Sequence, residues 1–206
     1  MNCIIYLVRS SDKDVEEFNK SLSLLEKNLL KYTDSTDVLV FVEESFDQYK
    51  SKVKTDLELL YQTIEFNLPD YPQEILDNIP EFYPHPTHGN GPIEWGHPGF
   101  SMGYRHMCRM FSGEFYKFPI VQKYEYYIRL DTDSFIQTPL GYDIFKWAKE
   151  KECWYGYIAP AVQQDNEKVV EGLWDFVNSI YPNQIPDRWM YYTNWELGKV
   201  DWFLTS

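Results

Sequence analysis

Cysteine is scarce in this 206-residue chain, with Cys3, Cys108 and Cys153 its whole complement. They are odd in number, widely spaced and form no C-x-x-C pair, which speaks against a disulfide framework and against a cysteine-built zinc site. Buried thiols are the expectation. Positive charge is also in short supply: 19 basic residues face 32 acidic ones, a formal charge of −13. Such a balance repels nucleic acid and anionic lipid at long range, so no nucleic-acid partner is expected. No run approaches the roughly 20 apolar residues that span a bilayer. The opening MNCIIYLVRSSD carries neither a basic leader nor a cleavage-like end. A chain that is soluble as given, with no membrane span, is expected. Internal repeats and low-complexity segments are missing as well.

What is present is apolar and aromatic. With 44% hydrophobic and 18% aromatic residues, the chain can bury one sizeable core, and residues 1–206 read as a single domain. Cys3 to Val8 and Val38 to Val42 are short branched apolar runs, the mark of buried strands. Between them Val15, Phe18, Leu22, Leu25 and Leu29 recur at three- and four-residue steps, as on a helix packed against a sheet. Val53 to Leu60 reads as a further helix leading into a short run, Thr63 to Leu68. The texture then changes: residues 69–103 hold seven of the 12 prolines and five of the 10 glycines, without periodicity, and read as one long loop. Ser101 is a plausible N-cap for a helix with Tyr104, Met107, Phe111 and Phe115 on one face. Gly141 to Lys151 and Asn166 to Tyr181 read as later helices around the run Trp154 to Ala159, and Met190 to Phe203 as one or two aromatic-rich strands. The alternation predicts an α/β layered fold.

Within that frame the stretch YYIRLDTDSFI, Tyr126 to Ile136, ends an apolar strand on two aspartates. On an extended chain residues two apart point the same way, so Asp131 and Asp133 would present two carboxylates together at a strand's carboxyl end, where ligands gather in such sheets. Two hard oxygen donors suit Mg²⁺ or Mn²⁺ gripping a diphosphate. The motif alone is weak, and a solvated strand end accounts for it equally. A second D-x-D, Asp12-Lys13-Asp14, opens the first helix and is explained by capping and the helix dipole. Haloacid-dehalogenase-like phosphatases place D-x-D-x-T after an apolar strand, close to Asp131-Thr132-Asp133-Ser134-Phe135. Their chemistry needs the motif early in the chain with a late acidic pair, and here it lies past the middle with only isolated later aspartates.

A longer pattern adds to the metal reading. The string GYRHMCRMFSGEFYKFPIVQKYEYYIRLD, Gly103 to Asp131, resembles the signature of fungal α-1,2-mannosyltransferases of glycosyltransferase family 15, in which S-Y-R-H-M-C-R-F-x-S-G-x-F-Y leads to W-R-x-E-P. LVRSSD, Leu7 to Asp12, is similar to that family's first strand and turn, and TNWELGKVDWF, Thr193 to Phe203, to its S-N-F-E-I-A-x-L-x-F-W segment. The resemblance covers nearly the whole chain in order and spacing. It implies a GT-A fold, a Rossmann-like mixed sheet flanked by helices, and a metal-dependent retaining transfer of mannose from GDP-mannose to a mannosyl or other glycan acceptor. Mn²⁺ or Mg²⁺ is the implied cofactor, a nucleotide sugar and a glycan or glycoprotein the implied partners, and the Golgi lumen the location of a typical member.

The same resemblance assigns roles. Asp131 stands at the family's metal-binding glutamate; Asp133, which has no counterpart in the family's E-P-x, is the second carboxylate that the spacing supplies, and both are placed in the donor site. Glu196 stands at the glutamate proposed as nucleophile or cation stabiliser, because retention asks for a carboxylate close to the anomeric carbon; Trp195 and Trp202 are its expected aromatic setting. Tyr104 matches an active-site tyrosine, and Arg9 falls at the first strand's end, where a guanidinium meets phosphate. Beside these stand plainer alternatives: a salt-bridged strand residue for Glu196, a core aromatic for Tyr104, a surface charge for Arg9. Arg105, His106 and Arg109 read as structural. The pattern departs from the family in Asp131-Thr132-Asp133 for E-P-x and N-W-E for N-F-E. Ser206 precedes the family's W-G-D-A-P region and its metal-binding histidine, as in an excerpt or in a compact relative with other ligands. An active transferase and a catalytically silent nucleotide-sugar or glycan-binding relative are the two functional expectations.

Overall fold

The computed structural model describes residues 1–68, 71–79, 82–83, 100–158, 162–164, 172–182, 189–191 and 194–205. Along the chain run β1 (Asn2–Val8), α1 (Asp12–Asn28), β2 (Thr36–Val42), β3 (Leu59–Thr63), α2 (Gln73–Leu76), β4 (Phe82–Tyr83), β5 (Phe100–Ser101) and α3 (Met102–Arg109). There follow β6 (Tyr126–Leu130), α4 (Ile144–Glu150), β7 (Tyr155–Tyr157), β8 (Val162–Gln164), α5 (Leu173–Ile180), β9 (Trp189–Tyr191), β10 (Trp195–Lys199) and α6 (Val200–Thr205). They sort into two compact units: Met1–Glu65, Gly113–Tyr157 and Thr193–Ser206 form one, Phe66–Ser112 and Ile158–Tyr192 the other.

The first unit is built on a six-stranded sheet in the order β3-β2-β1-β6-β10-β7. The four strands from β3 to β6 are parallel, and β10 runs antiparallel between β6 and β7. Parallel strands covered on both faces need continuous apolar sequence, which VLVFV in β2 and YYIRL in β6 supply; all five residues of β6 are buried. One face carries Ile4, Tyr6, Val40, Ile128 and Leu197 under α1 and α4. On the other, Phe41 meets Phe118 edge-on and Tyr127 meets Phe115 edge-on.

Helix α1 follows its sequence closely. Ser11 caps it, its hydroxyl oxygen accepting from the Asp14 N–H at 3.1 Å, while Asp12 and Asp14 lie in the positive first turn. Val15, Phe18, Leu22, Leu25 and Leu29 are all buried. Asp143 caps α4 by accepting from the N–H groups of Phe145 and Lys146 at 2.9 and 3.0 Å. Ile144, Phe145 and Ala148 then turn inward.

Several expectations are corrected. Residues 53–58 form no helix. A 3₁₀ run, Glu44–Lys52, precedes them, and Leu59 and Leu60 already belong to β3, paired in parallel with Val38 and Leu39. The apolar spacing there fits either period, and the open edge of β2 decides in favour of a strand. Of the short run Thr63 to Leu68, Thr63 alone belongs to the strand. The last aromatic run splits into strands β9 and β10 and then a helix, so Trp202 and Phe203 lie on α6. Cys3 is buried, Cys153 half-buried and Cys108 exposed, so the expectation of buried thiols holds fully for the first alone.

In the second unit, Ser101 caps α3, accepting from the Tyr104 N–H at 3.2 Å. His106 stacks on Phe66, centroids 5.3 Å apart, and Arg109 donates to the Asn67 carbonyl at 2.5 Å. Two short antiparallel pairs, β4 with β5 and β8 with β9, complete what is described, with α2 and α5. Most of the 69–103 stretch, and residues 166–171 of the helix expected before Tyr181, lie outside the described residues. No helix among the described residues is long and apolar enough to cross a membrane.

Phe18 is fully buried and meets the Tyr6 ring edge-on at 5.0 Å. Phe18→Ala leaves a cavity at the joint of α1 and the sheet and is expected to cost about 3–5 kcal/mol. Urea unfolding of the two proteins measures it, and a loss under about 1 kcal/mol would show that α1 does not anchor this core.

Candidate active site

At the carboxyl end of β6 the backbone leaves the sheet at once. The Ser134 N–H donates to the Asp131 carbonyl at 2.9 Å, closing a turn over residues 131–134. Asp131 and Asp133 are therefore in a turn and not on an extended strand, so strand alternation does not set their relation, yet the Asp133 charge still acts on Asp131. Asp131 is partly buried and Asp133 exposed. The turn is tied to the start of β10 by one acceptor, the Asn194 carbonyl, which takes the Asp131 N–H at 3.3 Å and the Ser134 hydroxyl at 2.9 Å. Behind it the Ser21 hydroxyl donates to the Ser134 carbonyl at 2.8 Å and lies 2.8 Å from the Tyr6 hydroxyl, so the turn rests on α1 and β1.

Register fixes what faces what. Arg129 on β6 pairs with Glu196 on β10, which pairs with Tyr157 on β7; one row along, Tyr127 pairs with Gly198 and Gly198 with Tyr155. Residues two apart share a sheet face, so Tyr127, Arg129, Glu196 and Tyr155 lie together. Arg129 and Glu196 are both only 5% exposed. An Arg129 terminal nitrogen donates to Asp131 Oδ1 at 3.0 Å. The Tyr127 hydroxyl donates to Glu196 Oε1 at 3.2 Å and the Tyr155 hydroxyl to Glu196 Oε2 at 3.0 Å. Tyr116 approaches the Tyr127 hydroxyl at 2.6 Å, and its ring stacks on Phe203 at 4.5 Å.

One guanidinium thus serves two carboxylates. Burial raises the pKa of Glu196; the Arg129 charge and the two phenol hydrogen bonds pull it down, and the Asp131 charge pushes it up. Asp131 behaves alike: burial raises it, Arg129 lowers it through charge and hydrogen bond, and the neighbouring Asp133 charge raises it. Burial is the largest influence in both cases, because taking a carboxylate out of water disfavours its charged form. It also raises the hydroxyls of Tyr127 and Tyr155, which remain neutral donors at neutral pH.

The sequence-predicted residues meet different fates. Asp131 and Glu196 are brought to adjoining strands with Arg129 coupled to both. Arg9 follows the end of β1 as expected, but it is exposed and its Nε donates to the buried Asp14 at 3.0 Å. Tyr104 lies in the second unit on α3, 47% exposed, which removes the core-aromatic alternative. The aromatic setting of Glu196 is not the expected tryptophans. Trp195 alternates to the opposite face and packs on the α1 core, and Trp202 stacks on Trp154 at 6.2 Å. Tyr127 and Tyr155 take that place. Neither they nor Arg129 was singled out from sequence, although a charged residue inside the apolar run YYIRL is the kind of buried polar group that signals a site.

A six-stranded mixed sheet with a carboxylate turn at the end of a central parallel strand defines a GT-A-type, Rossmann-like fold. The family model for glycolipid 2-alpha-mannosyltransferases matches residues 1–204, and the chain belongs to that family. Among curated relatives, the O-glycoside alpha-1,2-mannosyltransferase omh1 of Schizosaccharomyces pombe is 27% identical over 221 residues, covering 96% of this chain and 55% of that protein. The probable mannosyltransferase KTR4 of Saccharomyces cerevisiae is 28% identical over 199 residues, covering 88% and 39%. The X-ray structure of S. cerevisiae Ktr4p superposes with a TM-score of 0.71 at 22% identity, over 100% of this chain and 57% of that one. The Mn/GDP form of core-mannan synthase A from Aspergillus fumigatus gives 0.70 at 19% identity, over 98% and 60%. The chain therefore spans roughly half the length of these relatives.

The raised carboxyls have a consequence for stability. A group whose folded pKa exceeds its unfolded one binds more protons when folded, so its contribution is complete below the unfolded value and is lost as pH rises through the folded value. Stability to urea is expected to fall as pH climbs upward from the ordinary carboxylate range, and Glu196→Gln should flatten part of that fall. Parallel pH profiles for parent and variant would show that Glu196 is not held above its ordinary value.

Proposed function

We propose that this chain transfers mannose from GDP-mannose to a glycan hydroxyl with retention, as a metal-dependent α-1,2-mannosyltransferase, residues 1–206 acting as one catalytic domain. The observation that carries the reading is the Glu196 carboxylate, buried on the sheet face shared with Arg129 and held by a phenol at each oxygen. Such a group suits a transition state in which the anomeric carbon turns cationic while its bond to diphosphate breaks and a bond to the acceptor oxygen forms on the same face. A fixed, desolvated carboxylate stabilises that charge more than a mobile, solvated one. The names of the family's relatives, and the GDP and manganese in the description of the Aspergillus structure, support the donor assignment. A Golgi-lumen location accompanies this reading.

Among the described residues no group of three or more His, Cys, Asp or Glu side chains suits a metal. A site for Mg²⁺ or Mn²⁺ made of one or two carboxylates completed by substrate phosphates and water needs only Asp131, whose side chain is 33% exposed, and Asp133. The residues fit that mode. Bound there, the cation supplies neutralising charge to the departing diphosphate. Arg129 orients Asp131 through its hydrogen bond, and Arg9 offers phosphates the guanidinium nitrogens that Asp14 does not hold.

Asp131→Asn is expected to abolish Mn²⁺-dependent GDP binding, because an amide lacks the charge of a direct ligand. Asp133→Ala should weaken it by about tenfold, roughly 1.4 kcal/mol. Calorimetric titration with Mn²⁺ and then Mg²⁺ tests both, and undiminished affinity in Asp131→Asn would exclude this metal site.

Glu196→Gln is expected to keep GDP-mannose affinity within a few-fold and lose at least about a hundredfold in turnover, the signature of an interaction made mainly in the transition state. The parent's own turnover is the baseline. Donor binding without turnover in the parent would instead identify a silent nucleotide-sugar-binding relative.

A further inference from the structure

We propose that Tyr127 and Tyr155 are the positioning residues that hold the Glu196 carboxylate for the transfer step, and that Gly198 is the gap in β10 that lets the Tyr127 ring reach it. The inference rests on the proposed role of Glu196 and adds the parts that aim it.

Each oxygen of Glu196 has its own donor, Tyr127 at Oε1 and Tyr155 at Oε2. The donors come from β6 and β7, the strands on either side of β10. Two donors on opposite sides fix both the direction and the plane of a carboxylate, which one donor cannot do. A phenol has a single proton, and an ionised carboxylate only accepts. Tyr127 spends its proton on Glu196, so the 2.6 Å contact with Tyr116 requires Tyr116 to donate to Tyr127. A relay of orientation, Tyr116 to Tyr127 to Glu196, follows. Stacking of Tyr116 on Phe203 and the edge-on contact of Tyr127 with Phe115 hold the two rings.

Gly198 is what makes the Tyr127 arm possible. A Cβ built at Gly198 would lie 2.6 Å from both Cζ and the hydroxyl oxygen of Tyr127, and closer still to Cε1. The ring therefore passes over the strand at this position, in the space a Cβ would take, and reaches Glu196, two residues earlier on the same strand. Any side chain at 198 displaces it.

A structural explanation alone is weak. Burying a carboxylate against neutral phenols costs desolvation that an apolar residue at 196 would avoid. The phenols do not remove that cost; they direct the charge.

Turnover of GDP-mannose and GDP affinity measured in parallel test the assignment. Tyr127→Phe, Tyr155→Phe and Gly198→Ala should each lower kcat by about tenfold, with GDP affinity within about twofold. In the Glu196→Gln background Tyr127→Phe and Tyr155→Phe should leave the residual rate unchanged, since nothing is left for the phenols to aim. A crystal structure of Gly198→Ala should show the Tyr127 hydroxyl beyond hydrogen-bond reach of Glu196. If Gly198→Ala folds poorly by thermal melting, Tyr155→Phe, which leaves β10 untouched, decides. Phenylalanine variants with the parent's kcat, or with equal losses in both backgrounds, overturn the inference while leaving Glu196 in its role. A Glu196→Gln protein that turns over like the parent removes that role, and this inference with it.

Discussion

The antiparallel insertion of β10 between β6 and β7 is the constraint on which the site depends. A parallel strand at that place would bring a different end of the segment to the carboxyl edge of the sheet. Running antiparallel, β10 enters at that edge, so Asn194, Trp195 and Glu196 arrive beside the turn that leaves β6. The Asn194 carbonyl then binds this turn at two points. Asp131 and Glu196 are consequently joined by one short piece of backbone.

Around this joint the chain holds three charges in a region largely closed to water: Arg129, Asp131 and Glu196. Two acids and one base leave a net negative charge, and desolvation opposes it. Burial outweighs the nearby Arg129 charge at both carboxylates. A fold under no demand beyond stability has little use for such an arrangement, because well-packed apolar residues replace buried ion pairs at no loss. The cost is instead met by the rest of the sheet, with its doubly covered strands β1, β2 and β6 and the apolar stripe of α1.

Those same elements are the ones most readable from sequence. Strands buried on both faces leave unbroken apolar runs, and a helix on a sheet leaves a stripe, so β1, β2, β6 and α1 stand out. Strand β3 does not, because its apolar residues fit either period and only the free edge of β2 settles the matter. The site was readable in a different way. Asp131 and Glu196 are indicated by resemblance, since no local pattern connects residues on separate strands. The alternation of strand residues invoked for Asp131 and Asp133 presumes that the strand continues, whereas a turn begins at Asp131. Tyr127 and Tyr155 look like ordinary strand aromatics and Gly198 like a weak point in a strand. Only the lateral register turns them into donors and a gap.

The close seat of Tyr127 on Gly198 bears on the order in which the two positions can change over time. A chain that first loses the ring at 127 accepts a side chain at 198 more readily, since the three atoms nearest to that position all belong to the ring. The reverse order is harder, because a side chain at 198 meets the ring while it is still in place and one of the two must shift. Two residues on different strands are thereby coupled: the aromatic can be given up freely, and a side chain at position 198 keeps it from its present place.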